Sequence, residues 1–390
     1  MTSKERLWRA LHHQPVDMVP VEVRWKPKPF NSNDPLNRVP KFTPLINCMI
    51  KEADNIHFWD PKVGYSYADG ATTEIKKSGE VRGEFYYSAG VTIRIKVLKE
   101  VKGEYKITSY EIPTPKGKLT AIYKFIEATW GNMPIKSFIE EKKDVDKFLS
   151  LPYLPLNPEV KSYFEIEKKL GDRGIMQVSL SDPFYVLAGI CNFEQIYIWI
   201  KTDLKMIQEL LSEFCRRICD LVETLFKKGV GPLFWFCGPE QALPPWVNPS
   251  YFDSLITDYD SKIFELVHKH KGLVRVHSHG NAMDFLENFR DMGVDALEPL
   301  EPPPLGNVIL KQAKRLIGDK VCLCGNLPNL DRLSLKEVDT LVHQAIEDGA
   351  PGYGFILTTA GAAYQPNDTS ILINNLIQMV KSARKYGEYK

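Results

Sequence analysis

The 390 residues carry almost no excess of either charge: 50 Lys and Arg stand against 49 Asp and Glu, a formal net charge of +1. Without a basic surplus there is no electrostatic footprint for a phosphate backbone, and a nucleic-acid partner is not expected. Long apolar runs are also missing, so no segment of the sequence predicts a bilayer span. The opening MTSKERLWRALHHQPVD has no apolar centre of the kind a secretory signal needs and reads as an amphipathic helix. Cysteine is sparse and unpaired in number: Cys48, Cys191, Cys215, Cys219, Cys237, Cys322 and Cys324 are an odd set scattered along a long chain. That excludes a disulfide framework and points to a reduced, cytoplasmic protein. No G-x-G-x-x-G follows a strand-like run, which removes the pyrophosphate cradle of a dinucleotide-binding fold.

What is present is core-forming material in ordinary proportion, 44% hydrophobic and 25% charged, enough for one large domain over 1–390. A helix capped by Thr2 or Ser3, with Leu7, Ala10 and Leu11 as its apolar face, gives way to the extended run DMVPVEVRW. From about 64 to 128 the pattern becomes period-two alternation broken by Gly and Pro-Lys-Gly, which predicts an insertion of β-hairpins. After the linker-like Pro152–Pro158, short apolar runs alternate with amphipathic helices. The runs are GIMQVSLS, GPLFWFCG, GLVRVHSHG, DALEPLEPPP, KVCLCGNL and GFILTTAG. Successive strand-helix units predict an α/β protein with a (β/α)8 TIM-type barrel, and such barrels do their chemistry at the strand C-termini.

Those ends collect the unusual residues: Asp182, Cys237 with Glu240, His277 with His279, Glu298 with Glu301, Cys324 with Asn326, and Thr358 with Thr359. In VRVHSHGNAMDF the two histidines are two apart, so a strand turns both to one side and both can converge on a borderline cation such as zinc. A third metal ligand would come from Glu298 or Glu240, with Cys324 in reserve. The competing expectation is a polar pocket without metal, one imidazole being satisfied by a backbone carbonyl. Asp182, Glu240 and Asn326 are the catalytic candidates. The neighbours of Glu240, PPWVNPS, resemble an exposed loop, and Glu301, ahead of three prolines, reads as a loop charge. Cys215 and Cys219, four apart on an apolar-patterned helix, read as core. Trp59, Phe184, Trp235 and Trp246 are candidates for an apolar pocket wall.

Four segments together, MTSKERLWRALHHQPVDMVPVEV, HSHGNAMDFLENFRDMGVDALEPLEPPP, LCGNLPNLDRLS and GYGFILTTAG, resemble the uroporphyrinogen decarboxylase superfamily, which also holds zinc-dependent methyltransferases of corrinoid systems. The resemblance implies a (β/α)8 barrel and a choice between branches. The decarboxylases use an R-Q-A-G-R-type stretch, whereas this chain has VEVRWKPKPF with Arg24 alone. The thiol-specific methyltransferases bind zinc through His-x-Cys and a distant Cys. Here His279 stands in place of the first cysteine, and Ala360 or Gly361 in place of the second. Imidazole and carboxylate make a harder centre than thiolate, better matched to an oxygen leaving group. The expected function is therefore methyl transfer from a methoxylated (aromatic) compound to the cobalt of a cobalamin (O-demethylation). No D-x-H-x-x-G motif for cobalamin occurs, so the corrinoid would sit on a separate partner protein. The alternatives are methyl-corrinoid transfer to tetrahydrofolate or a thiol, a metal-free decarboxylase, and a non-catalytic binding barrel. The superfamily likeness leaves monomer or homodimer open.

Overall fold

In the computed structural model, residues 1–24, 27–61, 79–127, 131–361 and 370–389 are described. Among these described residues, twelve strands fall into two sheets. One is parallel and seven-stranded: β1 (Asn55–Trp59), β7 (Gly174–Ser181), β8 (Leu233–Cys237), β9 (Leu273–Ser278), β10 (Ala296–Pro299), β11 (Cys322–Leu327) and β12 (Phe355–Thr359) lie side by side in chain order. Each of the six apolar runs listed above becomes one of β7 to β12. The ring is closed by the extended segment that follows the first helix. Leu357 donates its N–H to Pro20 O and accepts from Glu22 N–H, each at 2.9 Å, while Asp54 N–H reaches Val21 O at 2.8 Å. The chain at 20–22 therefore bridges β12 to the start of β1, the place of an eighth strand, and completes the (β/α)8 barrel.

The floor of the barrel is apolar. Leu7, Ala10 and Leu11 of the first helix (Ser3–Leu11) pack under Ile56, Ile175, Leu233, Ala296, Cys322, Cys324 and Ile356. A capping box between Thr2 and Glu5 starts that helix, so of the two expected caps Thr2 is the one used. Arg6 then anchors it, with contacts of 2.6 Å to the fully buried Asp54 and 2.7 Å to Asp17. Arg384 from the last helix shares Asp54 at 2.8 Å, so one carboxylate ties the two chain ends to the first strands.

The second sheet is the insertion. β2 (Gly79–Gly83), β3 (Val91–Val101), β4 (Tyr105–Thr114), β5 (Gly117–Ile126) and β6 (Gly131–Lys136) form an antiparallel meander in sequence order. It runs to Lys136 rather than stopping near 128, and residues 64–78 of the expected hairpin region lie outside the described residues. Pro134 hides β6 from a pattern reading, but β6 is an edge strand, where proline is tolerated. The inner face (Ile93, Ile95, Ile112, Leu119, Ala121) joins the main core. The hydroxyls of Tyr86 and Tyr123 donate to Gly189 O at 2.9 and 3.3 Å, fixing the sheet over the helix Pro183–Ile190 that follows β7.

One buried group outside the barrel lumen gives a stability prediction. His57 is 5% exposed, its Nε2 has no partner, and burial, aided by the Lys28 charge, pushes its pKa down to about 3. A depressed histidine stabilises the fold above the unfolded value near 6.5, and that contribution is lost as pH falls toward 3. The loss amounts to on the order of 4 kcal/mol at pH 3. Thermal unfolding of His57→Leu should show a shallower acid dependence than the parent, and an unchanged slope would remove His57 from the account.

Candidate active site

Strand period places Glu22 and Arg24, Gln177, Trp235, Arg275 and His277, and Glu298 inside the barrel, above the apolar floor. Glu298 on β10 is their hub. Its Oε1 receives Arg24 Nη2 at 2.6 Å, Trp235 Nε1 at 2.6 Å and His277 Nδ1 at 3.0 Å. Its Oε2 receives Arg275 Nη2 at 2.6 Å. Arg275 also bonds Glu22 at 2.6 Å and Gln177 Oε1 at 3.2 Å. Burial alone would raise the carboxyl of Glu298, but the charges of Arg24 and Arg275 overcome it and hold the group far below the usual range. Nδ1 of His277 lies 3.0 Å from that anion, which can only accept, and 3.4 Å from Arg24 Nη2, which can only donate; the shorter contact favours a proton on Nδ1 and the lone pair on Nε2. Burial pushes His277 down to about 4, against the pull of Glu298, so the ring is neutral near pH 7.

His279, one residue past the end of β9, repeats the arrangement. Its Nδ1 faces Glu301 Oε2 at 3.2 Å, and Glu301 also accepts the Gly280 N–H at 3.0 Å. Burial of Glu301 is outweighed by those bonds, which keep its carboxyl below the ordinary value. The two imidazoles stand edge to face with centroids 4.5 Å apart. Each is thus backed by its own carboxylate, the arrangement that orients histidines which ligate metals. Trp235 tilts against His277 at 5.2 Å and meets Phe58 edge-on at 5.4 Å, giving one wall an aromatic surface.

The other sequence candidates are distributed around this pair. Glu240 sits on the turn Pro239–Ala242 after β8; its Oε1 is 3.7 Å from Cys237 Sγ, and its Oε2 is buried without a partner. Burial raises its carboxyl, with the His279 charge opposing. Asp182 caps the helix Pro183–Ile190 through Tyr185 N–H at 2.6 Å, leaving Oδ2 buried and unpartnered. Asn326 lies beside Thr358 near the end of β11. Cys324 lies a layer deeper, in the floor, with its thiol on Cys322 O at 3.8 Å. Among the described residues no three His, Cys, Asp or Glu side chains converge as a ready-made metal site. The structure brings His277, His279, Glu298 and Glu301 together, spends Glu298 on arginines, and leaves Cys324 apart. Of the proposed wall residues, Trp235 faces the lumen. Trp59 packs on Tyr163, Phe184 is core, and Trp246 lies half-exposed on Phe193 and Tyr197.

Glu22, Arg275 and Gln177, and the carboxylate role of Glu301, were not read from the sequence. The signal was there for the first three: each is a polar residue at the inward parity of an otherwise apolar strand. Asp260, on the helix Asp258–Lys269, carried no such signal, yet it is 1% exposed and both its oxygens lack partners.

The family model for uroporphyrinogen decarboxylase (URO-D) matches residues 118–386, well over half of the chain. The chain belongs to the uroporphyrinogen decarboxylase family. Among solved structures, a methyltransferase from Methanosarcina mazei is similar over 99% of both chains at 14% identity, with a TM-score of 0.60, a likeness of fold. A xylose isomerase-like TIM barrel protein from Mycobacterium smegmatis, in complex with magnesium, aligns over 58% of this chain and 79% of its own at 12% identity, with a TM-score of 0.31. No curated protein sequence matches. No helix among the described residues is long and apolar enough to cross a membrane.

Proposed function

We propose that this protein is a methyltransferase that takes the methyl group of a methoxylated, aromatic compound and passes it to the cobalt of a corrinoid carried by a separate protein. The observation that carries the reading is the histidine pair at the barrel mouth, each ring held by its own carboxylate. His277 and His279 are the residues that would hold zinc, through the nitrogens turned away from Glu298 and Glu301. When bound, the metal supplies Lewis acidity toward the ether oxygen. Glu298 and Glu301 keep both imidazoles in one tautomer. Glu240, whose carboxyl is raised by burial, would supply a proton to the departing oxygen. Trp235 and Phe58 offer an apolar surface to a ring.

The reaction balances as R–O–CH3 plus cob(I)alamin plus one proton giving R–OH plus methylcob(III)alamin. The C–O bond breaks with its electron pair on oxygen, and the cobalt electron pair forms the Co–C bond. Decarboxylation of a polycarboxylate is less well supported, because Arg24 is already ion-paired with Glu298 inside the barrel. The test mixes the protein with a reduced corrinoid protein and a panel of methoxybenzoates, methanol, methylamines and methylthiols. A methoxybenzoate should yield the free phenol and the methylcobalamin spectrum. Turnover of nitrogen or sulfur donors alone would sink the ether reading, and no corrinoid methylation with any donor would move decarboxylation ahead.

A further inference from the structure

Where the inserted sheet meets the barrel, the two leave a cavity of about 260 Å³. Pro134 and Ser137 line it from β6 and the residue after that strand, Gly189 and Cys191 from the end of the helix Pro183–Ile190, and Gln241 from the turn that carries Glu240. Pro134 is exposed and Phe193, which also lines the cavity, is 43% exposed, so a ligand can enter on that side. Ser137 and Cys191 are buried and mark the inner end.

The walls are held apart by bonds that cross the junction. Ile139 N–H donates to Ile190 O at 3.0 Å, and Asn192 N–H donates to Ile139 O at 2.8 Å, which ties the strand end at Ser137 to the chain around Cys191. Gly189 O is the acceptor for Tyr86 and Tyr123 of the inserted region. On the opposite side Tyr197 donates its hydroxyl to Gln241 O at 3.0 Å and fixes the turn. Interiors close voids of this size by repacking, and here the backbone on both sides is already committed. Within this frame Gln241 Oε1 is buried without a partner. An acceptor taken out of water in this way gains nothing until a donor reaches it.

The lining also sets the chemistry. Among the described residues it contains no Asp, Glu, Lys, Arg or His, so a charged ligand would find no counter-ion. Tyr185 and Phe193 contribute aromatic side chains, and Phe193 continues into an exposed cluster with Tyr197 and Trp246, its ring centroid 4.9 and 5.2 Å from theirs. An apolar cavity of about 150 Å³ is enough for benzene, and pockets for drug-sized molecules begin near 300 Å³. We propose that this cavity is a binding site for a single uncharged aromatic ring bearing an O–H or N–H donor, a phenol in the simplest case, with the donor on Gln241 Oε1. The insertion thereby has a function in the barrel: it supplies one wall of a ligand site. Gln241 follows Glu240 directly, so the occupant and the candidate acid share one short turn, but binding does not depend on methyl transfer.

The test titrates the full chain with phenol, anisole and benzoate by calorimetry, with no corrinoid present. Phenol should bind saturably, one per chain, below about 10 mM. Anisole lacks the donor and benzoate carries a charge, and each should bind roughly fivefold to tenfold more weakly. Gln241→Met keeps the length of the side chain and removes the acceptor, so phenol should fall to the level of anisole. Ala188→Phe adds a ring to the cavity lining and should abolish phenol binding while the cooperative melt is retained. Absence of saturable phenol binding by the parent, equal binding of the three probes, or a phenol preference that survives Gln241→Met would each overturn the site. So would a folded Ala188→Phe variant that binds phenol as the parent does; if that variant does not fold, Gln241→Met decides. A parent that binds phenol as described but transfers no methyl group would leave this site standing and remove the methyl-transfer reading alone.

Discussion

Glu298→Ala is expected to leave little folded barrel. The substitution removes the acceptor for Arg24, Trp235, His277 and Arg275 at once, and both arginines lie fully inside the lumen. Removing one partner of a buried ion pair costs about 3–5 kcal/mol, because the stranded charge cannot reach water. Here two guanidiniums are affected, although Arg275 keeps Glu22 at 2.6 Å. The Trp235 and His277 bonds add roughly 1–3 kcal/mol each. The sum approaches the whole of an ordinary domain stability, about 5–15 kcal/mol. Soluble yield and thermal unfolding are the measurements. A variant within about 1 kcal/mol of the parent would show that the lumen network contributes nothing net. Replacing Arg24 and Glu298 together by Met should recover part of the loss, since an apolar pair avoids the desolvation that the ions suffer. Glu301, 8% exposed and bonded to one imidazole and one N–H, should tolerate Gln at a cost near 1 kcal/mol.

That hub also shows what the sequence could and could not tell. The barrel was legible because each of β7 to β12 is a continuous apolar run between amphipathic helices, a pattern set by burial on both faces of a parallel sheet. The closing segment at 20–22 was legible only as an extended run, since its partners are Leu357 and Asp54, far away in the chain. His277 and His279 stood out because two imidazoles at one parity are rare in such a run. Glu298 was picked for its place at a strand end, but its engagement with Arg24, 274 positions earlier, is a consequence of ring closure that no local pattern encodes. Glu301 was discounted for the same reason: its histidine comes from the neighbouring strand. Glu240 looked exposed among prolines, and its buried oxygen is a product of the turn packing against the β7 helix and β9 rather than of its neighbours in sequence.

His277→Ala and His279→Ala should abolish metal binding and lower methyl transfer by about a thousandfold or more, while the barrel stays folded. Ligand removal takes away Lewis-acid stabilisation worth several kcal/mol, and each 1.36 kcal/mol is tenfold in rate. The fold survives because Glu298 keeps both arginines and Trp235 when His277 is gone, and because His279 is 38% exposed at the rim. The deleted His277 contact costs roughly 1–3 kcal/mol, well short of the Glu298 loss. Glu301→Gln provides the graded comparison: it leaves both imidazoles in place and loosens the support of one, so metal affinity should fall 10–100-fold rather than vanish. Metal content by elemental analysis after zinc loading, set beside the melting temperature, separates a lost ligand from a lost fold. If both alanine variants retain a full equivalent of metal and parental turnover, the histidine pair is not the centre of the chemistry, and the two carboxylates behind it hold the rings only as part of the barrel's polar packing.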